Sequence, residues 1–123
     1  MPGRLTTHVL DTMHGRPASQ LIIQCWRLSI TPEGETERTL LKTIETGPDG
    51  RAPEPLLQAA ELLRGSYELI FAVGNYFKAQ GVESGNPPFL DQVPVRFGIS
   101  DPQAHYHIPL LVTPWSYSTY RGS

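Results

Sequence analysis

Seven extended runs, each stopped by a turn, organise this chain: RLTTHVLD, SQLIIQCWRLSI, RTLLKTIET, SYELIFAV, FLDQVPVRFGIS, HYHIPLLVT and WSYSTYR. Between them stand HGRPAS, TPEGETE, GPDG, ESGNPP and SDPQ, which carry the Gly, Pro, Asn and Asp chemistry of turns. Polar and apolar residues alternate through TLLKTIE and YELIFAV, so each of these runs has one face to bury. Short strands at this spacing predict an all-β fold, and favour a sandwich over an open sheet. A length of 123 residues supports one core, so a single domain over 1–123 is expected.

Two segments depart from strand chemistry. LLQAAELLRG, Leu56 to Gly65, spaces its apolar residues like a helix and ends on glycine, although nearby prolines limit its length. GNYFKAQG, Gly74 to Gly81, sets helix formers between glycines, and Asn75 is a candidate N-cap for a short helix there.

Composition narrows the function classes. Apolar residues make up 39% and charged residues 18%, with a net charge of −2 and no Lys/Arg-rich run interleaved with aromatics. That balance provides no basic field, so a nucleic-acid partner is not expected. The stretch MPGRLTTHVL lacks the continuous apolar core of a secretory signal, no later stretch is apolar enough to span a membrane, and RGS is not the SKL address. A cytoplasmic protein that does not enter membranes is therefore expected. Cys25, the one cysteine, sits within LIIQCWRLSI and reads as a small strand-borne residue rather than a nucleophile.

The chemistry concentrates in HYHIPLL. Side chains alternate across a strand, so His105 and His107 share one face while Tyr106 and Ile108 share the other. A third histidine, His8, sits mid-strand among Leu5, Val9 and Leu10, and shares its face with Thr6 and Leu10. Three histidines and a water could hold zinc, but no carboxylate or cysteine accompanies them at ligand spacing. A metal-free imidazole base is the stronger alternative, since its ordinary pKa lies near neutrality. Wet surface is the plain one. His14, next to the Gly15 turn, and Asp101, within SDPQ, read as turn residues. Arg51 follows the Asp49-Gly50 turn, either as a solvated loop residue or as a guanidinium for a carboxylate, a lactam oxygen or a developing oxyanion. In WSYSTYRGS, Trp115, Tyr117 and Thr119 alternate with Ser116, Ser118 and Tyr120, a strand pattern that could close a pocket or an interface.

Taken in order, LTTHVLDTMHGRPA, GPDGR, YELIF, NYFKAQG, VPVRFGI and HYHIPLLVTPWSYSTYRGS resemble the transthyretin-related family, and the closing YRGS is similar to its hydrolase branch. The resemblance implies a transthyretin-like β-sandwich of two four-stranded sheets with one short helix, in which LLQAAELLRG is largely loop. It also implies a homotetramer, a dimer of dimers whose first, seventh and eighth strands line a central channel, with active sites at the dimer–dimer interface. The implied reaction is hydrolysis of a small molecule, 5-hydroxyisourate, with no cofactor and no metal. Carried onto this sequence, the catalytic residues fall on His8, Arg51 and His107. Substrate binding falls on Tyr120, Arg121, Gly122 and Ser123, and Leu10, Pro109, Leu111 and Ser118 become channel lining. His105 would then sit at the rim. The hormone-carrying branch places lysine, glutamate and threonine where His8, Arg51 and His107 stand, and lacks YRGS. The resemblance therefore favours an enzyme, with a non-catalytic small-molecule carrier as the alternative.

Overall fold

The computed structural model describes residues 2–122. Two sheets face each other across one core, as the alternating runs predict. The first sheet is built on β1 (Arg4–Asp11), β8 (His105–Val112) and β9 (Tyr117–Thr119). Two short strands, β2 (Arg16–Pro17) and β5 (Leu57–Gln58), pair with opposite ends of β1. The second sheet runs in the order β4 (Thr36–Glu45), β3 (Ile22–Ile30), β6 (Gly65–Ala72) and β7 (Gln92–Ile99). The expected pair of four-stranded sheets is thus met, with β5 as a fifth member on the first.

The pairing that brings the histidine-bearing strands together is β1 with β8. It is parallel, runs from Arg4↔His105 to Asp11↔Val112, and joins residues about a hundred positions apart. Leu5, Val9, Tyr106, Ile108, Leu110 and Val112 point from this pair into the core, where they meet Ile23, Cys25, Tyr67, Leu69, Phe71 and Val93 of the other sheet. Cys25 is fully buried, and burial pushes its thiol up to about 12, so it packs as the small apolar residue its context suggests.

Local expectations needed correction in two places. LLQAAELLRG forms no α-helix: Leu57–Gln58 become β5, Ala59–Glu61 make one 3-10 turn, and Gly65 opens β6. Its apolar residues Leu56, Leu57 and Leu62 are buried in the core, so tertiary burial takes residues that helical spacing would otherwise have used. The short helix α1 (Val73–Ala79) does form, but it starts two residues before Asn75. It continues directly from β6, and the Gly74 N–H donates to the Asp91 carbonyl at 3.0 Å, so no side-chain cap is required. Among the described residues no helix is long and apolar enough to cross a membrane.

The end of β1 is anchored to α1 by a buried carboxylate. Asp11 is fully buried, accepts from the Tyr76 hydroxyl at 2.7 Å and the His14 N–H at 2.9 Å, and lies 2.6 Å from His14 Nδ1. Burial alone would raise its pKa, but these bonds outweigh it and hold Asp11 below the usual carboxylate range. His14 is therefore more than a turn residue. Tyr76→Phe removes one donor from a buried charge, and should lower the unfolding free energy by about 1–3 kcal/mol. Urea denaturation at neutral pH checks this, and an unchanged midpoint would show the bond to be dispensable.

Candidate functional site

Strand alternation sorts the residues of β1 and β8. Leu5, Thr7, Val9 and Asp11 are buried, while Arg4, Thr6, His8 and Leu10 face outward. On β8, Tyr106, Ile108, Leu110 and Val112 enter the core; alternation puts His105, His107, Pro109 and Leu111 on the other face, where Pro109 is buried and the other three are half-buried. The parallel register then sets Thr6 beside His107, His8 beside Pro109, and Leu10 beside Leu111. Ser118 of β9 lies opposite Leu111. The proposed lining residues Leu10, Leu111 and Ser118 thus form one row across three strands.

Two glycines bring the remaining pieces in. Arg51 is bridged to His8 because the Gly50 carbonyl accepts from the Val9 N–H at 2.9 Å. Gly50 has φ +77°, and a Cβ there would lie 2.4 Å from the Val9 carbonyl oxygen, so only glycine lets the turn approach β1. Gly122 donates its N–H to the His107 carbonyl at 2.8 Å, and a Cβ on it would lie 2.6 Å from His107 Cδ2. The tail therefore runs flush against the imidazole ring.

The same register divides the tail. With Thr119 opposite Leu110 and Gly122 opposite His107, Tyr120 and Gly122 fall on the histidine face, and Arg121 falls on the side of Ile108 and Tyr106. The Arg121 guanidinium stacks 4.2 Å from the Tyr106 ring centroid, and its Nη2 donates to the His105 carbonyl at 3.4 Å. Tyr106 is itself fixed, since its hydroxyl oxygen accepts from the N–H groups of Ser100 and Asp101. Tyr120 is exposed. Ser123 lies outside the described residues.

Electrostatics oppose protonation of both β8 histidines. Burial, then the charges of Arg51, His105 and His8, hold the His107 imidazole below its ordinary range. Burial, then Arg4 and Arg121, do the same for His105. The two rings lie 6.1 Å apart, and both contact one hydroxyl: Thr6 Oγ1 is 2.8 Å from His105 Nε2 and 2.8 Å from His107 Nδ1. Thr6 was not singled out as a site residue in the sequence, although its place two residues before His8 put it on the right face. Arg4, Thr6 and Arg51 also line an open cleft of about 250 Å³, together with Ala52, Pro53, Glu54 and Pro55. The zinc alternative needs three converging ligands, and among the described residues no group of three His, Cys, Asp or Glu is so arranged.

The structure thus brings His8, Arg51, His107, Tyr120 and Gly122 to one uncovered sheet face, and gives Arg121 a place beside Tyr106 instead. A sandwich carrying imidazoles and a guanidinium on such a face has the residue types that proton transfer and charge stabilisation on a small molecule require. The chain belongs to the HIUase/Transthyretin family, whose model matches residues 5–122. It is 53% identical over 121 residues to a Rhizobium meliloti protein named 5-hydroxyisourate hydrolase 2, covering 98% of this chain and 97% of that one. Among solved structures, an (S)-allantoin synthase matches with a TM-score of 0.90 and 48% identity over 99% of this chain, which spans 44% of that protein's length. Klebsiella pneumoniae 5-hydroxyisourate hydrolase matches with a TM-score of 0.77 and 34% identity, covering 98% and 99% of the two chains. Sea bream transthyretin in complex with thyroxine matches at 0.82 and 26%, covering 97% and 94%.

Proposed function

We propose that this chain is an enzyme that hydrolyses 5-hydroxyisourate to 2-oxo-4-hydroxy-4-carboxy-5-ureidoimidazoline, a step of urate degradation. The relatives named above support the reaction. The observation that carries the residue assignment is a half-buried His107 on the same sheet face as His8, to which Arg51 is bridged, with burial and then Arg51 opposing its protonation. Water adds to a ring carbonyl, and His107, in concert with His8, takes its proton. The neighbouring C–N bond breaks, the nitrogen leaves with the proton returned by the imidazole, and the water oxygen remains in the new carboxyl group. Arg51 stabilises the oxyanion formed on the way, and the two guanidinium groups of Arg4 and Arg51, against the one carboxylate of Glu54 in the same cleft, suit the carboxylate that results.

Tyr120 and Gly122 form the wall beside His107 in this assignment, with Ser123 following them. Arg121 contributes charge at the rim and ties the tail to Tyr106. The face is open in one chain, and Trp115, Tyr117 and Tyr120 are exposed beside it. A homotetramer that buries this face between dimers would turn the open row into a channel, with Leu10, Pro109, Leu111 and Ser118 as its lining. We further place the enzyme in the cytoplasm, acting on a free small molecule without a cofactor.

The test is the ultraviolet decay of 5-hydroxyisourate generated in situ by urate oxidase, with and without a chelator. Decay above the uncatalysed rate that survives chelation is the expected result. Loss on chelation would overturn the metal-free assignment. No acceleration would leave the carrier alternative, which the shared fold with thyroxine-bound transthyretin favours.

A further inference from the structure

Thr6 stands between two imidazoles, and a hydroxyl has only one proton. Its oxygen lies 2.8 Å from His107 Nδ1 and 2.8 Å from His105 Nε2, so it donates at most one of these bonds and accepts at least one. The two histidines cannot both present a bare nitrogen to Thr6, because its single proton serves only one of them. At least one ring therefore donates an N–H to the hydroxyl.

Three arrangements satisfy both contacts. In the first, His107 Nδ1–H donates to Thr6, and Thr6 donates to His105 Nε2. In the second, both bonds reverse, and in the third both rings donate to Thr6, whose proton turns elsewhere. The first and third leave His107 Nε2 without a proton. They are also the ones in which His107 can gain a proton at Nε2 without breaking its bond to Thr6, since Nδ1–H donates in either charge state. The first alone also keeps the Thr6 proton in the bonded pair of histidines, where the third leaves it to find another acceptor.

We propose that Thr6 is a positioning residue that fixes His107 as the Nδ1–H tautomer, with His105 as the acceptor that takes up the Thr6 proton. The geometry is built into the strand pairing: Thr6 is opposite His107 in the β1–β8 register, and its neighbour Thr7 turns inward to donate to the Ile108 carbonyl at 2.7 Å. The two threonines of LTTH thus have separate tasks. The second ties β1 to β8 in the core, and the first orients the ring on the open face. The same geometry assigns His105 a role that a rim position alone does not.

This inference rests on His107 acting as the base, and its test separates the two. Multiple-bond proton–nitrogen correlation spectra of histidine-labelled protein read the tautomer directly, without substrate. In the wild type they should show His107 protonated at Nδ1 and His105 bearing no proton at Nε2. Thr6→Val keeps the shape and removes the hydroxyl, so it should release the His107 tautomer and lower kcat on the order of 10–100-fold, with KM nearly unchanged. Thr6→Ser should restore both the spectrum and kcat. A wild-type His107 protonated at Nε2, a Thr6→Val enzyme with full kcat, or a Thr6→Ser enzyme as impaired as Thr6→Val would each overturn the proposal. If the valine variant fails to fold, the wild-type spectrum and the serine variant still decide. A wild type with the expected tautomers but no hydrolysis would instead overturn the base assignment.

Discussion

His107→Asn should lower kcat on the order of 10²–10⁴-fold, the usual contribution of a general base. Asparagine places an amide near the position of Nδ1 and can keep the bond to Thr6, but has nothing where Nε2 stood. The substitution therefore removes the proposed base while sparing the packing against Gly122, whose absent side chain leaves room for the ring. The sedimentation behaviour and the unfolding midpoint should match the wild type. The measurement is steady-state decay of 5-hydroxyisourate at pH 7, and a kcat within about twofold of wild type would remove His107 from the mechanism.

Arg51→Met has two expected effects, and the second is the more diagnostic. Loss of a charge aimed at the oxyanion should cost on the order of 10²–10³ in kcat. Arg51 also opposes protonation of His107, so removing it should raise the His107 pKa toward the ordinary histidine value of about 6.5. The sign follows: in the wild type the base stays neutral to lower pH, and in the variant it is protonated sooner as pH falls. The acid limb of kcat/KM should therefore move to higher pH in Arg51→Met. A limb that stays in place would show that Arg51 does not act on His107, whatever the loss in rate.

Much of this arrangement could be read in the sequence, and the exceptions have physical causes. Period-two alternation in HYHIPLL and LTTHVLD assigned His105, His107 and His8 to outward faces correctly, because each strand has one buried side. The turn in GPDG was legible from its residue types, and Gly50 does adopt the positive φ that such a turn demands. LLQAAELLRG misled because its leucines fit helical spacing as well as they fit the core, and only the partner surfaces choose between them. The division of YRGS, with Tyr120 and Gly122 on one side and Arg121 on the other, depends on where the tail pairs with β8. Thr6 escaped notice for a similar reason. Its hydroxyl gains meaning from residues 99 and 101 positions away, and no local pattern reports a parallel pairing of that span.

The same parallel pairing has a kinetic consequence. β1 is among the earliest segments of this sequence to be made, yet its long partner is β8, so its main hydrogen-bond ladder waits for nearly the whole sequence. Contacts of such high order require loop-closure entropy to be spent before they contribute, which makes folding slow compared with a chain of local contacts. Thr6, His8 and His107 consequently come together in one late event, and no partly folded species with β1 unpaired can hold the proposed catalytic face. Catalytic competence is thus a sensitive report of complete folding: it should return no earlier than the last β1–β8 amides become protected from hydrogen exchange.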